Sequence, residues 1–139
     1  MAQASRSEAV RKAVYVGKRK EAIARLKLAK GSGKVFVNGV PIEFWGNWIA
    51  REKALVPLRV AGDVGSSHDF HLNVHGGGVL GQADAIAIAI ARALAALDPE
   101  SGKAISSFDY HLLSGDWRRT EPKKPNRRSA RRFKQKSYR

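Results

Sequence analysis

Cysteine is absent from this chain of 139 residues, which removes disulfides and thiolate metal ligands and leaves the redox compartment unread. Acidic residues are scarce. Twelve Asp and Glu stand against twenty-six Lys and Arg, a formal charge of +14, so a polyanion is the expected partner. No apolar run approaches the length that crosses a bilayer; the longest, Ala83 to Leu97, is interrupted by Asp84 and Arg92, and a membrane is not expected. The N-terminal stretch has some of the Ser and Arg content of a transit peptide. It contains Glu8 and runs directly into strand-like sequence, so it reads as a short arm (residues 1–12) of a cytoplasmic protein.

What is present is a nearly balanced body followed by a basic tail. Residues 117–139 hold eleven Lys or Arg and the single acid Glu121. The rest of the chain, with residues 13–116 as its globular part, holds fifteen bases and eleven acids. A second cationic cluster lies early, from Lys18, Arg19 and Lys20 through Arg25 and Lys27 to Lys34, opposed by Glu21. The length allows one domain with one modest core.

Periodicity outlines the body. Ala13 to Val16 and Glu21 to Gly31 read as strands; in the second, Ala22, Ala24, Leu26 and Leu28 alternate with Arg25 and Lys27. Gly31 to Gly33 permit a turn, the next strand ends at Asn38-Gly39, and that pair signals a type I′ turn into Val40-Pro41-Ile42. Arg51 to Gly62 reads as a helix that Pro57 kinks or delimits. Phe70, Leu72 and Val74 alternate with Asp69, His71 and Asn73 in a further strand. Glycines 76–78 and 81 then lead into an Ala/Ile/Leu helix ending near Asp98-Pro99, with a shorter helix around Lys103 to Leu113. The expected fold is α+β: a small mixed sheet with helices packed on one face, plus an extended basic tail.

Few residues invite catalytic chemistry. His71 and His75 share a strand face but lie roughly 13 Å apart at about 3.3 Å per residue, too far to share a metal ion; with His68 they read as solvated or RNA-facing. The loop Gly76 to Asp84 precedes a helix, as a phosphate cradle does, but lacks the Gly-Lys-Ser/Thr ending of a P-loop and the spacing of a dinucleotide fingerprint. Ser114 and Asp116 have no evident base or nucleophile partner. No enzyme, cofactor or metal is expected. Among aromatics, Tyr15 and Phe36 read as core, and Trp45 and Trp48 as core or rim packing. Phe133 and Tyr138, set among tail cations, suit stacking on nucleobases or docking on a neighbouring protein.

Three blocks, Gly17 to Gly39, Val74 to Leu94 and the terminal QKSYR, together resemble the small-subunit ribosomal protein nine family, in its archaeal and eukaryotic form. The resemblance runs from about Val14 to the end and is weakest between Phe44 and Ser67. One departure is Trp117, which stands where the family's proline is expected after the aspartate, and bears on how the tail leaves the body. The resemblance implies a fold like the second domain of ribosomal protein five, binding to ribosomal RNA in the head of the small subunit among neighbouring ribosomal proteins, and a tail that reaches the tRNA in the peptidyl site.

Carried over, it makes Lys18, Arg19, Lys20, Arg25 and Lys27 ribosomal RNA contacts of the body. Gly76, Gly77, Gly78, Gly81 and Gln82 form a loop-to-helix turn facing RNA. Along the tail, Arg118, Arg119, Lys123, Lys124, Arg127, Arg128, Arg131 and Arg132 contact ribosomal RNA, while Lys134, Lys136, Ser137, Tyr138 and Arg139 contact tRNA. Free of RNA, such a tail is expected to be disordered, because like charges repel and little apolar surface is available to offset backbone entropy. Fully extended it spans roughly 75–80 Å. A ribonuclease P protein-like subunit and a DNA-compacting protein are the alternatives that the composition leaves open.

Overall fold

The computed structural model describes residues 13–138. Five strands form one sheet: β1 (Val14–Arg19), β2 (Ala22–Lys30), β3 (Val35–Val37), β4 (Val40–Pro41) and β5 (His68–His75). Their spatial order is β1-β2-β5-β3-β4; only β3 and β5 run parallel, so the sheet is mixed. The helices are α1 (Trp48–Ala61), α2 (Val79–Leu97), α3 (Pro99–Phe108) and α4 (His111–Ser114). α2 packs on β1, β2 and β5, and α1 and α3 pack against α2, which places the core on one side of the sheet.

The alternation in β2 and β5 sets the two faces. Ala22, Ala24, Leu26 and Leu28 meet Phe70, Leu72 and Val74 under the helices, while Arg25, Lys27, His71 and Asn73 project from the open face. Sandwiched between sheet and helices, α2 buries Ala83, Ile86, Ile90 and Leu94 among others around most of its circumference. With 19 residues and mean hydropathy 1.5, it is long and apolar enough to cross a bilayer, contrary to the sequence expectation, but its apolar surface is spent inside the fold.

Gly17 lets α2 approach. A Cβ there would lie 1.9 Å from the Ala85 carbonyl oxygen and 2.7 Å from the Ala89 nitrogen. The Asn38-Gly39 turn has both residues at positive φ, as a type I′ turn requires. The Asn38 side chain also pairs with the Val74 backbone, donating to its oxygen at 3.0 Å and accepting from its nitrogen at 2.8 Å. Asp69 accepts from the Ser32 and Lys34 amides at 2.8 and 3.0 Å, organising the β2–β3 loop; those amides hold its carboxyl below the usual carboxylate range.

Several local expectations change. α1 starts at Trp48, capped by Asn47, and runs through Pro57 rather than stopping there. The expected helix at Lys103 to Leu113 is two, because α3 starts at Pro99 under an Asp98 cap and ends at Phe108, before α4 begins at His111. Phe36 lies on the open face instead of in the core. His68 is buried on the core side rather than solvated. Tyr15 and Trp45 pack against the core, but Trp48 is 68% exposed.

Candidate nucleic-acid interface

The root of the tail is clasped to the body by charge. Arg19 falls on the core side of β1, opposite Ala22, and its side chain is only 16% exposed. Its guanidinium lies 3.1 Å from the Asp116 carboxylate and 3.7 Å from that of Asp84, and donates to the Arg118 carbonyl at 3.0 Å. Asp84 also pairs with Lys53 at 2.7 Å. Arg118 closes a two-pronged pair with Asp116, at 3.1 and 2.6 Å for Oδ2 and with Nε at 3.0 Å from Oδ1. Behind the clasp, Arg92 donates to the carbonyls of Val16, Leu113 and Ser114. The tail therefore leaves in a direction set by Asp116, and Trp117, 89% exposed, takes no part in it.

Arg118, through its side-chain and backbone hydrogen bonds, followed by Arg19, holds the Asp116 carboxyl well below the usual carboxylate range. A depressed folded-state pKa stabilises above the unfolded value near 4 and ceases to do so as pH falls through the folded value. Asp116→Asn should consequently lower the melting temperature at pH 7, with the gap to the parent narrowing below about pH 4. Thermal melts at pH 7 and pH 3 check this; a gap that widens on acidification would contradict the clasp.

Around the clasp Lys18 and Lys20 stay exposed, while Lys53 pairs with Asp84 and Arg119 lies 3.5 Å from the Glu21 carboxylate. Lys18 and Lys20 line an open hollow of about 680 Å³ with Trp117 and Arg119 at the start of the tail. Next to it, a groove of about 860 Å³ runs from Lys20 and Lys53 past the start of α2 to Arg119 and Thr120. Gly77 and Gly78 line it, and Gly76 and Gly77 lead into it at positive φ. A Cβ at Gly76 would lie 2.3 Å from the Glu21 carbonyl oxygen, so the loop can pass the β1–β2 turn only as glycine. Gln82 donates to the Gly76 carbonyl at 3.1 Å and steadies the loop from within, while nothing lies within 4 Å of a Cβ at Gly78. Gly78 caps α2 without a side chain, so backbone N–H groups open on the groove, a place that favours anions.

Arg25 and Lys27 are exposed on the open sheet face with Lys18, apart from that groove. The expected body contacts thus divide into two surfaces, and Arg19 belongs to the clasp between body and tail.

Residues 117–138 carry no helix or strand and lie almost wholly exposed, but they are not extended throughout. Glu121 gathers Lys124 at 2.9 Å and Arg131 at 2.8 Å, which lowers its pKa. Asn126 sits at positive φ, Arg127 bridges to Phe133, and the Arg128 amide donates to the Arg132 carbonyl at 2.8 Å. The Arg127 guanidinium lies over the Phe133 ring at 4.5 Å. This loop shortens the reach below that of a straight chain and presents Arg128 and Arg132 outward. Lys134, Lys136, Ser137 and Tyr138 follow it, exposed; Arg139 lies outside the described residues. Among the described residues no group of His, Cys, Asp or Glu is placed to hold a metal ion.

Residues 17–139 match the family described as ribosomal protein S9/S16. The small ribosomal subunit protein uS9 of Desulfurococcus amylolyticus is 47% identical over 135 residues, covering 96% of each chain. That of Picrophilus torridus is 48% identical over 128 residues, covering 91% of this chain and 96% of its own, and that of Pyrobaculum aerophilum is 43% identical over 134 residues. A sheet backed by helices, a clasped cationic tail and relatives aligned over nearly their whole length lead to one conclusion: the chain belongs to the ribosomal protein S9/S16 family, structural proteins of the small ribosomal subunit rather than enzymes.

Proposed function

We propose that this protein binds ribosomal RNA in the head of the small subunit and reaches the tRNA in the peptidyl site with its tail, working in cytoplasmic ribosomes. The observation that carries the reading is the arrangement of cations. Lys18 and Lys20 stand beside the tail root, Arg25 and Lys27 stand on the open face, and the tail leaves the body under the control of a clasp. Arg19 acts in this reading as a positioning residue: with its guanidinium engaged by two carboxylates and a carbonyl, it aims the tail. The loop Gly76 to Gly78 offers backbone N–H groups to phosphate, with Lys20 and Arg119 alongside.

Tail residues Arg118, Arg119, Lys123, Lys124, Arg127, Arg128, Arg131 and Arg132 serve the ribosomal RNA in this proposal. Lys134, Lys136, Ser137, Tyr138 and Arg139 serve the tRNA. Lys or Arg neutralising phosphate releases counterions, which supplies sequence-independent affinity where phosphate is dense. A guanidinium can hold a phosphate through two parallel hydrogen bonds, which gives Arg139 a geometric role as well as a charge.

Deleting Arg139 should leave subunit assembly intact and weaken tRNA retention in the peptidyl site. Each charge-assisted hydrogen bond removed contributes about 1.5–3 kcal/mol at most, less where Lys136 compensates. Filter binding of tRNA to purified small subunits carrying the deletion measures it. Equal affinity and equal dissociation rate in deletion and parent would confine the tail to ribosomal RNA.

A further inference from the structure

The open face of the sheet carries a rank of side chains that crosses all five strands. Val14 of β1 pairs with Lys27 of β2, Lys27 with His71 of β5, His71 with Phe36 of β3, and Phe36 with Pro41 of β4. Within the rank, Phe36 and His71 stack with ring centroids 5.2 Å apart and planes within 7° of parallel. Phe36 covers one face of the imidazole. Because β5 lies between β3 and β2, the other face looks towards Lys27.

On that side the surface sinks into a hollow of about 490 Å³, bordered by Val14, Arg25, Lys27, Asn38, His71 and Asn73. The next rank sets Val16, Arg25 and Asn73 side by side. Lys18, Arg25 and Lys27 make this face cationic. Its acid, Asp69, is taken up by the amides of the β2–β3 loop at the far end of β5. The hollow therefore joins a planar π-surface, a polar amide and two cations.

We propose that this hollow receives one unpaired nucleotide of RNA, whose base continues the Phe36–His71 stack and whose phosphates meet Arg25 and Lys27. The proposal rests on the ribosomal RNA-binding reading and adds a site to it. A flat base matches the parallel rings, which an aliphatic protein side chain does not, and the surrounding positive charge favours a polyanionic strand over a neutral protein surface. Asn73, at the rim, has an amide able to bond a base edge.

The test uses the full chain and a fluorescein-labelled, mixed-sequence, single-stranded RNA of twelve nucleotides. His71→Ala should weaken binding on the order of 5- to 100-fold, and His71→Trp should restore it, because stacking on an aromatic is sequence-tolerant. The salt dependence should stay that of the parent in both. Lys27→Ala should instead flatten the log–log salt slope by up to about 0.7, the contribution of one neutralised phosphate on a single strand. Equal affinities of His71→Ala, His71→Trp and parent would overturn the stack while leaving RNA binding standing; failure of the parent to bind would remove the broader reading as well.

A second measurement addresses what covers the face in the ribosome. Because the chain has no cysteine, Asn73→Cys gives a unique attachment point for a photoreactive group. Crosslinks to RNA in assembled small subunits are expected, and crosslinks to protein alone would overturn the proposal.

Discussion

Gly17→Ala should cost about 3 kcal/mol or more of the body's stability, a large share of what a small domain has. The added Cβ would sit 1.9 Å from the Ala85 carbonyl oxygen and 2.7 Å from the Ala89 nitrogen. Both atoms are helix backbone, so no rotamer change relieves the clash; α2 must lift from β1 and open the core along Ala85, Ile86 and Ala89. Gly81→Ala is the control in the same helix. There a Cβ finds its nearest neighbours at 3.8 Å, and alanine should be neutral or stabilise by up to about 1 kcal/mol through helix propensity. Denaturant unfolding of the three proteins compares them directly. A Gly17→Ala variant with the parent's midpoint would show that the strand–helix spacing is not set by this close approach.

Deleting residues 117–139 should separate folding from binding. Every fully buried apolar side chain of the core lies at or before Ile105, with Leu112 and Leu113 completing it, and Arg19 keeps its pair with Asp116 after the cut. The truncated chain should therefore still melt cooperatively. Its affinity for small-subunit ribosomal RNA should fall on the order of 100-fold or more at moderate salt, with the log–log slope reduced by about 0.7–0.9 for each phosphate that the tail had neutralised. Loss of the cooperative transition would make the tail part of the fold. An unchanged slope would place the ionic binding on the body.

The two variants probe different links. Gly17 acts on packing, through a distance between two backbones. The tail deletion probes association, through charges that lie outside the core. Arg19 stands between them: its pairs with Asp84 and Asp116 tie the first strand and the long core helix to the tail's first residues.

Much of the fold was legible from local pattern. The alternation from Ala22 to Leu28 and from Phe70 to Val74 determined which side of each strand is buried, because side chains on a strand alternate between faces. Asn38-Gly39 determined a turn, since both residues tolerate positive φ. The run of Lys and Arg after Trp117 determined a segment outside the core.

Where the strand is short or the partner distant, only the tertiary structure decided. In Val35–Val37 all three residues are apolar, and pairing with β5 turned Phe36 onto the open face against His71. Lys18, Arg19 and Lys20 are equivalent as charges in sequence. Strand parity sent Arg19 to the core side, where Asp84 and Asp116, far along the chain, were waiting; Lys18 and Lys20 stayed exposed. A sequence states which residues carry charge, but whether a charge is free for RNA depends on which opposite charges the fold brings within a few ångströms, and that is a property of the assembled structure.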